Sequence, residues 1–404
     1  MGQLLDARDE PPKLEVSGQL QDFAAEPGAE AGARIAFQAR NSPQLVRQLL
    51  GCLDAGAIPV LAHPRWPNAL RQEALERAGA GRPWTGEQVA TLLFTSGSTA
   101  APKVVAHSLD AHLACAHASG MRVPFGRGDR WLLSLPLCHV GGLALLFRAV
   151  VGGGTLVLPD PDERLAEALV RTRPSHLSLV AAQLRELLDH EDAREALAGC
   201  RQILLGGGPC PPAWLEQARE LGCPIRLTYG MTEMASQVAT ESDGRLTPVH
   251  SAKLRVDAQR QIWVCGEALF SGYLVNDQLE LPLQDGWFAT GDLGRPGPTG
   301  ALEIFGRLDN QFISGGENVQ PEAIEAAFHA RGIEVVVVGV PGGKFGIRPV
   351  AFSRDGKNYG ELAIELLPDF SRPIAWLPLP GADGLKPRRP ELAALAIRQL
   401  KAPD

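Results

Sequence analysis

A chain of 404 residues, 45% apolar and 21% charged, has room for two or three domains with buried cores. Its net charge of −7, with no long basic run, argues against nucleic acid as the main partner. Its seven cysteines form no C-x-x-C pair and sit at irregular spacing, which fits a reducing cytoplasm better than a disulfide framework.

The N-terminus, "MGQLLDARDEPPKLEV", is charged and lacks the apolar core of a signal peptide. Across residues 1–85, Pro11-Pro12, "EPGAEAGA" and "HPRWPNAL" predict loops around two short helices, near 43–53 and 68–79. From residue 89 onward strands and helices alternate. Apolar runs predict strands at 90–94, 131–135, 155–158, 176–180, 202–205 and 225–228. Helical patterns fall between them, at 108–118, 141–150, 162–171, 181–189 and 212–221. The apolar run Val140 to Phe147 stops at Arg148, far short of the ~20 residues a membrane span needs. "RQIWVCG", "WFATGD" and "GALEIFGR" read as short β segments. After Arg307 a β-turn region (308–316) precedes a helix opened by Pro321, then the strand "EVVVVGVP". The expected class is α/β. A large N-terminal domain of layered α/β sheets with a small β-rich part spans 1–306, and a small α+β C-terminal domain spans 307–404.

The stretch "TLLFTSGSTAAPK", residues 91–103, carries the first chemical signal. It is not the G-x-x-x-x-G-K-[ST] phosphate loop: Pro102 stands where the second glycine belongs and Val104 where the metal-binding hydroxyl belongs. Pro102 also disfavours helical geometry at Ala101. What remains is a hydroxyl-rich loop with one lysine, able to wrap a triphosphate through N–H groups and hydroxyls. On composition alone, a plain Ser/Thr turn between strand and helix fits about as well. "LTYGMTEMAS" (227–236) follows a strand and precedes a helix-like stretch, and by itself reads as a helix start with an acid in its first turn. "LLGGGPCPP" (204–212) ends a strand in three glycines, which permit a flat approach to a ring or make a β-turn. His107, His112 and His117 are placed in one helix, where i, i+5, i+10 spacing fans them apart, so they make no metal site.

Taken together, "TSGST" with "PK", "YGMTE", "TGD" and "GRLDNQFISGGENVQPEAIE" resemble the acyl-adenylate-forming enzymes: acyl-CoA synthetases, adenylation domains and luciferases. Ala100 and Val104 replace glycines of that loop pattern. The resemblance implies ATP, Mg²⁺ and coenzyme A as cofactor and co-substrates. It assigns phosphate binding to Thr95, Ser96, Gly97, Ser98, Thr99 and Lys103, and the adenine wall to Gly206, Gly207 and Gly208. Tyr229 would stack on adenine, Gly230 would let the backbone approach, Thr232 would bond the α-phosphate, and Glu233 would hold Mg²⁺. Asp292 would take the ribose hydroxyls, and Arg307 would reach ribose or phosphates. Asp309 would be the hinge of a mobile C-terminal lid. Gly315 and Gly316 would line the pantetheine entry. "GLKPRRPEL" fits the family's end pattern, with Leu385 in place of a glycine, and makes Lys386 catalytic with Glu233, Thr232 and Arg307. His139, Gly141 and Gly142 would form the acyl pocket.

"WLLSLPLCHVGGLALLFRAV", "KFGIRPVA" and "RPIAWLPLP" narrow the resemblance to the o-succinylbenzoate–CoA ligase family of menaquinone (vitamin K2) biosynthesis, over roughly 90–404. Against that family, residues 1–85 are a shortened first subdomain. The resemblance implies ATP-dependent activation of 2-succinylbenzoate to its acyl-adenylate and transfer to CoA, by a cytoplasmic enzyme with small-molecule partners. Another aryl or fatty acid as substrate, a non-catalytic nucleotide-binding relative, and a homo-oligomer all stay open.

Overall fold

The computed structural model describes residues 12–22, 30–95, 102–297, 301–342, 346–380 and 389–401. The chain divides into two compact units. One is formed by Met1–Pro209, Ala218–Arg255 and Val264–Phe288, the other by Cys210–Gln217, Val256–Trp263 and Ala289–Asp404. Among the described residues, the larger unit holds a nine-stranded and a six-stranded sheet.

The centre of the nine-stranded sheet is parallel. Strands Ile225–Met231, Gln202–Leu205, His176–Leu179, Arg130–Leu132, Thr155–Leu158 and Lys13–Val16 lie side by side, with antiparallel strands at both margins. Parallel neighbours need crossover connections, which is why helices alternate with these strands in sequence. The six-stranded sheet runs Gln278–Glu280, Gly272–Val275, Lys103–His107, Thr91–Thr95, Ile58–Ala62, Arg34–Gln38. Leu92, Leu93 and Phe94 are all buried, so this strand is covered on both faces and reads as a continuous apolar run. Helix Pro43–Ala55 shows how local chemistry sets the ends. The Ser42 hydroxyl accepts from the Leu45 N–H, Pro43 supplies a preset φ at the first turn, and Gly56 closes the helix at φ +71°.

Several elements differ from expectation. Residues 12–85 carry strands Lys13–Val16, Gln19–Asp22, Arg34–Gln38 and Ile58–Ala62 besides the two helices. His107 ends a strand and does not share the helix Leu109–Arg122 with His112 and His117, because Ser108 caps that helix by accepting from the Ala111 N–H. The stretch after "MTE" is strand Ser236–Ser242: Ala235, at φ +49°, stops the turn Thr232–Met234 after three residues.

In the smaller unit, strand Val335–Pro341 shows why four consecutive valines coexist in one strand. Val335 and Val337 pack with Phe328 and Ile324, whereas Val338 and Val340 pack with Leu392 and Ala396. Alternate side chains face opposite ways, and helices cover both faces. Helix Arg389–Lys401 is fastened at its start. The Arg389 guanidinium donates to both carboxylate oxygens of Glu325 (2.8 and 2.9 Å) and to Glu322 (3.3 Å), and Glu325 also accepts from the Val337 N–H (2.7 Å).

Four histidines are buried in the larger unit: His63, His107, His112 and His176. The His107 Nε2–H donates to the Thr232 carbonyl (2.6 Å), which fixes its neutral tautomer. His112 Nε2 bonds Thr91 Oγ1 (2.8 Å), and its ring stacks on Phe147 at 4.2 Å. Burial pushes His107 down to about 4, against the opposing pull of the Thr232 carbonyl. Burial, then His139 and Arg65, push His63 to about 4. Burial, then His107, hold His112 well below 6.5. The unfolded chain binds protons near pH 6.5 where the folded chain does not, so this stability is complete above pH 6.5 and is lost as pH falls toward 4.

The unfolding free energy in urea therefore drops between pH 6.5 and 4.5, and His107→Gln makes the slope shallower by about 1.4 kcal/mol per pH unit. Glutamine keeps an N–H donor but takes up no proton, so an unaltered slope would contradict the assignment. Separately, Arg389→Met leaves the buried Glu325 carboxylate uncompensated and costs about 3–5 kcal/mol. Arg389→Met with Glu325→Leu recovers most of that loss, and faster hydrogen exchange over residues 389–401 in the single variant alone is the readout.

Candidate active site

Two strands, Thr91–Thr95 and Lys103–His107, flank the hydroxyl-rich stretch and pair antiparallel, with Thr95 opposite Lys103. The Ser/Thr segment thus links two strands, where strand and helix were expected. Ser96, Gly97, Ser98 and Thr99 lie outside the described residues, as does Lys386. Lys103 is exposed, and Thr95 is half-buried.

The "YGMTE" block joins this hairpin through the turn that carries Thr232 and Glu233. His107 holds the Thr232 carbonyl, the Phe270 N–H donates to the Glu233 carbonyl (2.8 Å), and the Tyr273 hydroxyl donates to Glu233 Oε1 (2.7 Å). The Lys103 ammonium stands 4.7 Å from the centre of the Tyr273 ring. Sequence reasoning had not singled out His107 or Tyr273 for this site. Tyr273 lies forty residues beyond Glu233, and no spacing rule ties it to either motif. A faint signal was available: the chain has only three tyrosines.

Glycines at the strand ends are required by crowding. Strand Gln202–Leu205 lies parallel to Ile225–Met231, with Leu205 opposite Leu227, so Gly206 falls beside Thr228. A Cβ on Gly206 would meet Thr228 Cγ2 at 2.7 Å. Gly207 turns at φ +78°, and Gly207 and Gly208 are exposed. At Tyr229/Gly230 the register shifts in a bulge, and a Cβ on Gly230 would sit 2.0 Å from the Ser236 carbonyl oxygen. The structure therefore places the glycine triplet and the Tyr229 block at the carboxyl ends of neighbouring strands, where open α/β sheets bind ligands.

His139 opens helix Val140–Gly152, whose first turn is tight. A Cβ on Gly142 would lie 2.2 Å from the Pro136 carbonyl oxygen, and one on Gly141 would lie 3.2 Å from Leu135 Cδ1. The His139 ring faces His63 at 5.5 Å. Desolvation and the Arg65 charge hold its pKa below the ordinary range. Ligand atoms of His63, Cys138 and His139 come within 4.8 Å of one another. Arg65 and the positive end of the helix both oppose a cation there.

In the smaller unit, Asp292 and Arg307 face each other across paired strands, and Arg307 Nη1 donates to Asp292 Oδ1 (2.9 Å). Gly291, at φ +75°, leaves room for the guanidinium: a Cβ there would meet Nη2 at 2.9 Å. The buried Thr290 hydroxyl donates to the Ile262 carbonyl and accepts from the Asp292 N–H, which fixes this stretch of the strand. Arg307 also forks onto Asp309 (2.9 and 3.2 Å). Gly315 and Gly316 form a two-residue hairpin turn at φ +60° and +91°, with Ser314 opposite Glu317. They border a cavity of about 780 Å³ with Phe312, Ile313 and Ile347.

The AMP-binding enzyme family model matches residues 80–274, which run from before the hairpin to just past Tyr273. The 2-succinylbenzoate–CoA ligase of Escherichia coli is 33% identical over 400 residues, covering 90% of this chain and 86% of that relative. Among solved structures, o-succinylbenzoate CoA synthetase (MenE) from Bacillus subtilis in complex with the acyl-adenylate intermediate OSB-AMP is 26% identical with a TM-score of 0.84, covering 100% of this chain and 98% of that one. The same enzyme in complex with ATP and magnesium ion is also 26% identical, with a TM-score of 0.81, and covers 97% and 98%. With one-third identity across nine-tenths of its length, the chain belongs to the AMP-binding enzymes, within the 2-succinylbenzoate–CoA ligase family.

Proposed function

We propose that this chain is an AMP-forming acid–thiol ligase that converts 2-succinylbenzoate, ATP and CoA into 2-succinylbenzoyl-CoA, AMP and pyrophosphate, a step of menaquinone biosynthesis. The observation that carries the reading is identity to a ligase of that name over 90% of the chain. The approach of Lys103 and Glu233 to Tyr273, with His107 holding the neighbouring Thr232 carbonyl, supports it.

A carboxylate is a poor electrophile because its leaving group would be oxide. In the first half-reaction a carboxylate oxygen attacks the α-phosphorus, the bond to the pyrophosphate oxygen breaks, and an acyl-adenylate forms. Thr95, Ser96, Gly97, Ser98, Thr99 and Lys103 hold the phosphates, with Thr232 on the α-phosphate. Tyr229 and Gly230, with Gly206, Gly207 and Gly208, enclose adenine. Asp292 takes the ribose hydroxyls, and Arg307 adds a cation. Glu233 would hold Mg²⁺: Tyr273 occupies Oε1, and Oε2 is a hard oxygen donor of the kind that ion accepts. When bound, the ion neutralises phosphate charge. Lys386 bridges the attacking carboxylate and the α-phosphate.

The acid lies against His139, Gly141 and Gly142, with His63 behind. The positive field of Arg65 and the helix start suits an anionic substrate and disfavours a metal in the His63–Cys138–His139 cluster. In the second half-reaction the lid, residues 307–404, turns about Asp309. Lys386 withdraws, the CoA thiol enters past Gly315 and Gly316, and sulfur attacks the acyl carbon as AMP leaves. The exposed Ile313 and Ile347 offer an apolar wall to the pantetheine arm.

The test is incubation with ATP, CoA and 2-succinylbenzoate, reading the thioester by mass and pyrophosphate release beside a panel of aryl and fatty acids. No thioester from 2-succinylbenzoate, with turnover of another acid, overturns the substrate assignment. Lys386→Ala abolishes adenylate formation but leaves thioester formation from supplied acyl-adenylate within about tenfold of wild type. Equal loss of both half-reactions would refute the role given to that lysine.

A further inference from the structure

We propose that Tyr273 is a positioning residue for adenylation: its hydroxyl orients the metal-binding carboxylate of Glu233, and its ring face orients the phosphate-binding ammonium of Lys103. The inference rests on the roles given to Glu233 and Lys103 above.

The placement begins with strand register. Tyr273 pairs with Val105 and Gly272 with Ala106. Lys103 and Val105 point to the same face of their strand, so Lys103 is the diagonal neighbour of Tyr273, within reach of an aromatic ring. The observed 4.7 Å from Nζ to the ring centre is that contact. Along the ring axis the hydroxyl reaches Glu233 Oε1 at 2.7 Å. Only a para-hydroxylated ring offers both a π-face and a terminal donor at this separation. The ring itself is held: Phe270 packs edge-on at 4.9 Å and 67°, while the Phe270 N–H donates to the Glu233 carbonyl. One short segment, 270–273, thereby fixes the backbone and the carboxylate of Glu233 together. A Tyr–carboxylate bond holds one oxygen and so sets the direction of the other, which is how outer partners of metal ligands act.

Tyr273→Phe keeps the ring and removes the hydroxyl, whereas Tyr273→Leu removes both contacts. The measurements are acid-dependent ATP–pyrophosphate exchange titrated with Mg²⁺ and, independently of turnover, Mn²⁺ binding in the presence of ATP followed by water-proton relaxation. Tyr273→Phe weakens Mg²⁺ and Mn²⁺ dependence about 10–100-fold, with the KM for ATP at saturating Mg²⁺ within about twofold of wild type. Tyr273→Leu raises that KM as well. Glu233→Gln runs in parallel. If it weakens Mn²⁺ binding and Tyr273→Phe does not, the proposal for Tyr273 falls alone. If Glu233→Gln leaves Mn²⁺ binding intact, the role of Glu233 falls and the proposal falls with it. Should Tyr273→Leu fail to fold, Tyr273→Phe still decides the matter.

Discussion

The turn Thr232–Met234 is the point on which the proposed chemistry of the larger unit depends. It leaves the end of a strand in the nine-stranded sheet, yet three bonds tie it to residues in or beside the six-stranded sheet: His107 to the Thr232 carbonyl, Phe270 N–H to the Glu233 carbonyl, and Tyr273 to the Glu233 carboxylate. Each partner lies in or next to a strand, so the turn takes its precision from ladder geometry. A three-residue turn has little cooperativity of its own. Fixed from outside, it can present a hydroxyl and a carboxylate in constant relation to Lys103.

The same sheets explain the glycines. Gly206 and Gly230 sit where a neighbouring strand or a bulge leaves no space for a Cβ, at 2.7 and 2.0 Å. Crowding of that kind follows from bringing several strand ends to one place, which is also what lets a planar ring lie close to backbone. Packing alone requires glycine at these positions, and the proposed approach of adenine would impose the same requirement.

The sequence exposed this architecture unevenly. Buried central strands such as Gln202–Leu205 were readable because both faces are covered and the apolar run is unbroken. Ile58–Ala62 is just as buried, but Pro59 argues against a strand interior, and the segment read as loop. Arg34–Gln38 lies at a sheet margin with alternating exposure, and Gln19–Asp22 is a polar edge. Gln19–Asp22 carries no hydrophobic signature, and Arg34–Gln38 offers only the short run Ile35 to Phe37. His107 was misplaced because "KVVAHSLDAH" runs a strand into a helix without a break in polarity, and only the Ser108 cap divides them. Motif residues of the candidate site could be proposed from sequence, since each motif is local. Tyr273 and His63 could not, since they reach their partners through strand pairing and tertiary packing that no sequence interval encodes.

Within the smaller unit the charges fall into two kinds. Arg307, 44% exposed, shares its guanidinium between Asp292 and the half-exposed Asp309. Ion pairs in such surroundings contribute about 0–1 kcal/mol, so exchanging one carboxylate for another at this position costs little. Arg389 and Glu325 are largely buried, with side chains 22% and 7% exposed and both Nη atoms of the guanidinium engaged. Opening that pair leaves a charge stranded away from water, at a cost of several kcal/mol. On the proposed mechanism these are the properties the two positions need. A residue at a hinge must release its partner each cycle, and Asp309 meets Arg307 in a solvated pair. A lid that carries Lys386 would have to keep its fold through the same motion, and within it Arg389 is bound to Glu322 and Glu325. On that mechanism the exposed pair would permit the rotation, and the buried pair would keep helix Arg389–Lys401 fixed to Glu322 and Glu325.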